Sequence, residues 1–209
     1  MATVLYIQAS PRGERSKSIQ AAEAFITAYS RRHPQDQIEK LNLFEADLPP
    51  FDARAAAAKF KVPANQPVTP QEQQIWSQVE AVIEQFKSAD KYVLATPMWN
   101  FSIPYRLKQY IDIIVQPRYT FTVGDKGYEG LVKGKPLLAV YARGGAYPAG
   151  SPGEAFDLQT RYVELIFGFM GFTNIHKLIV EPTQNEGQQA AQKALQDAVA
   201  RIDALVESF

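Results

Sequence analysis

Residues 3–32, TVLYIQASPRGERSKSIQAAEAFITAYSRR, decide the fold. Thr3–Gln8 is a short apolar run rich in β-branched and aromatic side chains, too short for a stable helix, and it reads as a buried strand. Ala9–Gly13 carries a proline and a glycine and reads as a loop. From Ser16 to Arg32 the apolar residues change period: Ile19, Ala22, Phe25, Ile26 and Tyr29 fall on one helical face. A strand without polar alternation is covered on both faces. One that feeds directly into an amphipathic helix is the first half of a strand–helix–strand unit.

Outward from this stretch the alternation repeats. Gln37–Leu43 is a second strand, after a turn at Pro34. Phe44–Thr69 is irregular and broken by Pro49, Pro50, Pro63 and Pro67, with room for a short helix over Ala53–Phe60. Thr69-Pro70 then starts a helix, with Thr as N-cap, Pro at the first helical position and Glu72 completing a capping box. Its apolar face is Ile75, Val79, Val82, Ile83 and Phe86. Tyr92–Thr96 is the third strand and Pro97–Phe101 a loop. Tyr105–Val115 is a helix, Tyr119–Leu131 a hairpin with Gly124 and Gly127, and Leu137–Ala142 the fourth strand. A glycine-rich segment, residues 144–153, leads to a helix over Phe156–Met170. Ile175–Val180 is the fifth strand, and Gln188–Val206 a closing helix. The expected fold is α/β: a doubly wound five-stranded parallel sheet in the order 2-1-3-4-5, helices on both faces, residues 1–209 forming a single domain.

Composition narrows the function. Lys+Arg 22 balances Asp+Glu 22, so no electrostatic pull toward nucleic acid or an anionic membrane is expected. There is no cysteine, which removes disulfides, thiolate nucleophiles and Cys-based metal sites together. His33 and His176 have no companions at ligand spacing and acidic residues do not cluster, so no metal is expected. The short apolar run at Val4–Ile7 is neither a signal peptide nor a span, and the expected location is cytoplasmic.

In a doubly wound sheet the ligand sits at the carboxyl ends of the central strands, and three loops lie there. Ser10-Pro11-Arg12-Gly13-Glu14-Arg15-Ser16-Lys17-Ser18 runs into a helix N-terminus, where hydroxyls, amides and the helix dipole favour an anion. Neither G-x-x-x-x-G-K-[ST] nor G-x-G-x-x-G is present, and serine donors suit a terminal monophosphate. Taken alone, the segment reads equally as a helix start capped by Ser16 or Ser18. Pro97-Met98-Trp99-Asn100-Phe101 offers an apolar surface at Trp99 and Phe101 beside the polar Asn100, as a flavin ring requires. Ala142-Arg143-Gly144-Gly145 lets backbone approach a flat ligand, through positive φ or the absence of Cβ. Alone it reads as a plain turn. Together the three loops point to flavin mononucleotide.

At these residues the sequence resembles the FMN-dependent NADH azoreductase family, close to the quinone reductases and flavodoxins. The resemblance runs through VLYIQASPRG…SKS, PMWNFSIP, LKQYID, EGLVKGK, RGG and FGFMGF. It implies a flavodoxin-like enzyme with FMN held at its phosphate by Ser10, Ser16, Lys17 and Ser18. It further implies Met98, Trp99, Asn100 and Phe101 at the ring, with Ala142, Arg143, Gly144 and Gly145 closing the other side. Ala142 stands where the family often has a hydroxyl residue, and Trp99 where many members have tyrosine. The implied reaction is ping-pong: NADH or NADPH delivers hydride to the flavin, and a quinone or azo compound then takes two electrons. A homodimer is also implied, each site roofed by the partner.

No side chain is required as nucleophile or base, so none is assigned a catalytic role. Tyr128, Tyr147 and His176 are proton donors by type only; His176 reads better as a hydrogen-bonded structural residue and His33 as a solvated helix-end group. Phe167, Phe169, Met170 and Phe172 read mainly as core. The 44–69 insert and the 119–131 hairpin are expected to form a lid or dimer surface that sets substrate size. Two other readings share parts of this pattern: a flavin-bearing electron carrier, and a non-flavin module binding a phosphorylated metabolite.

Overall fold

The structure, a computed structural model, describes residues 1–125 and 127–209; Lys126, inside the expected hairpin, lies outside the described residues. In chain order the elements are β1 (Thr3–Gln8), α1 (Lys17–Arg32), β2 (Gln37–Asn42), α2 (Ala53–Lys61), α3 (Pro70–Ser88), β3 (Lys91–Pro97) and α4 (Tyr105–Ile114). Then follow β4 (Phe121–Gly124), β5 (Gly127–Gly130), β6 (Pro136–Ala142), α5 (Leu158–Met170), β7 (Asn174–Val180), α6 (Gly187–Val199) and α7 (Ile202–Ser208). Among the described residues, no helix is long and apolar enough to cross a membrane.

Five strands form one parallel sheet in the order β2-β1-β3-β6-β7. The expected label 2-1-3-4-5 does not carry over unchanged. The hairpin strands β4 and β5 pair antiparallel with each other in a separate sheet, and the last two main strands are therefore sixth and seventh in the chain.

Because side chains alternate across a strand, each strand feeds two cores. Leu5, Ile7, Leu94, Ala139 and Tyr141 face α3, α4 and α5, meeting Trp76, Val79, Tyr110 and Phe167. Val4, Tyr6, Val93, Leu138 and Val140 face the other way, against Ile19, Phe25, Ile202 and Val206 of α1 and α7. Burial of each large aliphatic side chain contributes about 1.5–3 kcal/mol, so the double coverage that removed polar alternation from the strands is also what holds the helices on. Burial pushes the phenols of Tyr6, Tyr92, Tyr110 and Tyr141 up, and they stay neutral.

Helix starts follow their sequence signals closely. Thr69 Oγ1 accepts from Glu72 N at 3.2 Å while Glu72 Oε2 accepts from Thr69 N at 2.8 Å, the reciprocal capping box. Asp52 caps α2, the short helix allowed for over Ala53–Phe60, which ends one residue later at Lys61. Asp157 accepts from Thr160 N at 2.9 Å, so α5 starts at Leu158 and the expected first residue, Phe156, belongs to a preceding 3₁₀ turn over Pro152–Phe156. The closing helix expected over Gln188–Val206 is two helices, interrupted at Ala200–Arg201, with Ala198 of the first and Ile202 and Val206 of the second packed on the α1 side.

His33 ends α1, its ring stacked on Tyr29 at 4.5 Å rather than standing free in solvent. His176 also departs from expectation: its buried Nε2 has no hydrogen-bond partner among the described residues, because its ring lies beside Phe209 rather than a polar group. Phe167, Met170 and Phe172 are core residues, whereas Phe169 packs on Phe121 and Tyr128 of the hairpin.

The hairpin also docks through a close backbone approach. A Cβ on Gly130 would lie 2.2 Å from the amide nitrogen of Gly171, the left-handed residue (φ 111°) that ends α5. No relaxation of a side chain can relieve that contact. Gly130→Ala is therefore expected to destabilise the protein by about 1–3 kcal/mol through overpacking. Gly168→Ala, in the last turn of α5 with nothing within 4 Å, should stabilise it by up to about 0.5–1 kcal/mol. Urea unfolding of both variants checks the pair; equal effects would show that the Gly130–Gly171 approach does not hold the hairpin.

Candidate functional site

The parallel ladder continues past the strand ends, and this builds the site. Ala9 N donates to Ala95 O at 2.8 Å, Met98 N to Ala142 O at 2.7 Å and Arg143 N to Val180 O at 3.1 Å. The chains leaving β1, β3, β6 and β7 thus depart side by side. Between them lies a cleft of about 510 Å³, lined by residues 12 and 15–17 from the first loop, 97–100 from the second, 142 and 144 from the third, and 183 and 184 after β7.

At one end stands the α1 N-terminus. Ser16 occupies the N-cap position, yet its side chain caps nothing; Ser16 Oγ and Ser18 Oγ instead share a hydrogen bond at 3.0 Å. Ordinary capping by either serine, one of the readings of this segment, is not what the structure contains. Ser10, Ser16 and Ser18 are all buried, so three hydroxyls sit where the first amides of the helix lack partners. Arg12, Arg15 and Lys17 form no ion pair among the described residues. No carboxylate lines the cleft. In a chain with formal net charge +0, this is a local concentration of positive potential made for an anion.

The middle is a tight turn. Asn100 and Phe101 both adopt left-handed backbone, φ 47° and 66°. They are closed by reciprocal bonds between Trp99 and Ser102, at 3.0 and 2.9 Å. Asparagine tolerates this conformation, whereas phenylalanine is strained in it by about 1–3 kcal/mol. The turn sends its aromatics apart: Trp99 lies toward Phe44 and Tyr105, and Phe101 toward Phe156 and Tyr147. Met98, Trp99 and Asn100 line the cleft, but Phe101 does not.

At the far end the glycines act through the absence of Cβ alone, because neither Gly144 nor Gly145 has positive φ. A Cβ on Gly144 would lie 3.2 Å from Gln184 Oε1, and one on Gly145 3.0 Å from Asn185 Nδ2. The close approach comes from the chain's own 184–185 loop, held by Gln184 N and Asn185 N on Gly144 O at 3.1 and 3.0 Å. The amides of Gly144 and Gly145 have no protein acceptor among the described residues. Ala142 lines the cleft, whereas Arg143 is buried among Asp157, Gln159, Thr160 and Glu181.

Of the expected site residues, the structure thus gathers Ser16, Lys17, Met98, Trp99, Asn100, Ala142 and Gly144 around one space. Ser10 and Ser18 lie buried behind the first loop, and Phe101, Arg143 and Gly145 are outside the lining. Thr183 and Gln184 were not anticipated; the signal was the PTQN segment immediately after the fifth strand. Tyr128, Tyr147 and His176 are absent from the lining. Two larger depressions, about 1020 and 840 Å³, lie over β2 and beside α4; the second shares Trp99 and Asn100 with the cleft.

The comparisons with known proteins agree with this geometry. A family model described as a flavodoxin-like fold matches residues 2–206. The chain is 51% identical over 209 residues, 100% of both chains, to a protein of Nitratidesulfovibrio vulgaris named FMN-dependent NADH:quinone oxidoreductase. It is similar to the crystal structure of an azoreductase from Bacillus anthracis str. Sterne, at TM-score 0.92 and 28% identity, covering 100% of each chain. It is also similar to an FMN-dependent NADH-azoreductase from Bacillus anthracis str. Ames Ancestor solved in complex with FMN, at TM-score 0.87 and 28% identity, covering 99% of this chain and 100% of that one.

The strained turn gives a direct test. Asn100→Gly should leave stability near that of the parent chain, because glycine adopts positive φ freely. Asn100→Val should cost about 1–3 kcal/mol in urea unfolding, since a β-branched residue resists that backbone. Equal losses from both would mean the amide side chain, not the backbone conformation, holds the turn.

Proposed function

The chain belongs to the flavodoxin-like fold family and, within it, to the FMN-dependent NADH:quinone oxidoreductases; from that premise we propose how its own residues bind the cofactor and serve the reaction. It reduces quinones and azo compounds with electrons from NADH. The observation that carries the site assignment is the buried, non-capping Ser16 hydroxyl at a helix N-terminus, bonded to Ser18 and lining a cleft with Arg12, Arg15 and Lys17 and, among the described residues, no carboxylate.

This donor set fits the cofactor. Ser16 and Ser18, with Ser10 behind them and Lys17 alongside, bind the phosphate; Arg12 and Arg15 add charge. Met98 and Trp99 lie against the ring and keep water from one face. Asn100, Gly144 and the backbone of the 142–145 loop provide donors for the polar edge. Bound FMN would supply the two-electron redox chemistry that links the nicotinamide to the acceptor. The two substrates enter the open side of the cleft in turn, a ping-pong order. The lining contains no Asp, Glu, His, Cys or Tyr, and this supports water as the source of the acceptor's protons.

The same reading takes residues 1–209 as one domain acting in the cytoplasm as a homodimer. Large exposed apolar side chains support the dimer: Phe60, Val123, Tyr128 and Leu165. The 44–69 insert and the hairpin border this surface and set acceptor size.

Absorbance spectra of the purified protein, repeated anaerobically with NADH and with NADPH, test the reading; a chain that stays colourless after FMN is added refutes it. Ser16→Ala with Ser18→Ala removes two hydrogen bonds to a charged group, each worth about 1.5–3 kcal/mol. The double variant should bind FMN at least ~10-fold more weakly in a fluorescence titration. Undiminished affinity would move the phosphate elsewhere.

A further inference from the structure

We infer that Arg143 is a positioning residue: its buried guanidinium sets the spacing of the loops that wall the ring end of the cleft, without touching the ring. This rests on the functional reading above, because it concerns the same cleft.

Arg143 is among the largest fully buried side chains in the protein, at 1% exposure. Nε donates to Gln159 Oε1 at 3.3 Å, Nη1 to Glu181 Oε2 at 3.2 Å and Nη2 to Thr160 Oγ1, and Nη2 forms an ion pair with Asp157 Oδ2 at 2.9 Å. Two of these partners, and the Arg143 peptide itself, lead to three different walls. Gln159, itself fully buried, passes a hydrogen bond from its Nε2 to Thr96 O at 3.2 Å, next to the Pro97–Asn100 wall. Glu181 Oε2 also accepts from Tyr147 N at 3.1 Å, tying down the far end of the glycine loop. Arg143's own carbonyl accepts from Thr183 N and Thr183 Oγ1, both at 2.8 Å, fixing the loop after β7. One side chain and its peptide thus couple the ends of β3, β6 and β7.

Charge alone does not explain the arrangement. One guanidinium faces two carboxylates, so the cluster has a formal excess of negative charge and is a poor source of positive potential for a reduced, anionic ring. What Arg offers is a planar fork able to hold several fixed directions at once; Lys, a single point charge, cannot reproduce it. The geometry therefore separates two roles within the cleft. The first loop grips the phosphate, and the Arg143 cluster sets where the amides of Gly144 and Gly145 and the 97–100 wall meet the ring.

The test compares Arg143→Lys, Gln159→Leu and the Ser16→Ala/Ser18→Ala double variant with the parent protein. FMN affinity of the apoprotein, visible circular dichroism of bound FMN and its two-electron midpoint potential are measured well below each unfolding temperature. Arg143→Lys should weaken FMN binding about 10-fold or more, alter the visible dichroism and shift the potential. Gln159→Leu, which removes the acceptor of Arg143 Nε and the link to Thr96 but leaves the guanidinium and its other partners in place, should move all three in the same direction by less. A tenfold change in the ratio of affinities for the oxidised and reduced forms is about 30 mV. The double serine variant should lose affinity with dichroism and potential unchanged, since the phosphate end does not sense the ring. If Arg143→Lys fails to fold, Gln159→Leu decides. Parent-like affinity, dichroism and potential in the variants that fold, with only a lowered unfolding temperature, would overturn the positioning role while leaving the functional reading intact. A parent protein that binds no FMN would overturn both.

Discussion

Backbone hydrogen bonds that run one residue beyond each strand hold the site in place. Parallel pairing by itself aligns strands; it is the continuation, Ala9 to Ala95, Met98 to Ala142 and Arg143 to Val180, that makes the loops leave the sheet side by side. A loop starting one residue earlier or later would present the opposite side chains to the cleft, because strand residues alternate. The ladder can be this regular because every strand is sandwiched. Alternate residues feed the α3–α4–α5 core and the α1–α6–α7 core, so a register slip would carry large apolar side chains into the wrong layer.

On that scaffold two features of the site cost stability. Phe101 is held at φ 66°, a conformation its side chain resists, and the cross-bonded turn between Trp99 and Ser102 keeps it there. The Arg143 cluster removes one cation and parts of two carboxylates from water. Such groups contribute little net stability when complete, but removal of one partner typically costs about 3–5 kcal/mol because a buried charge is left unmatched. Both features are cheap to keep and expensive to disturb, which suits walls that must not drift. The phosphate end is organised differently. Ser16 and Ser18 bond to each other rather than capping the helix, and among the described residues Arg12, Arg15 and Lys17 form no ion pair, so their charge is available to a ligand.

The hairpin shows a third kind of constraint. It joins the body of the protein where two backbones meet at Gly130 and Gly171, with room for no side chain on the first. Its aromatic residues, Phe121 and Tyr128, then pack with Phe169 of α5.

The amino-acid order alone determined the elements and their sequence along the chain, because periodicity and end signals are local: four buried residues within Thr3–Gln8, the Thr69–Glu72 capping box, the helical stripe through Ile19, Phe25 and Ile26. It also determined that Ser16, Trp99 and Gly144 lie at strand ends on one side of the sheet. Tertiary structure decided what those residues face. Phe101 turns toward Phe156 rather than the cleft, Arg143 is drawn inward by carboxylates 14 and 38 positions away in the chain (Asp157 and Glu181), and Thr183 and Gln184 complete a wall together with loops far from them in the chain. The reason is physical. Propensity and capping act over a few neighbouring residues, whereas the direction of a side chain at a loop is set by partners that only folding brings within hydrogen-bond reach.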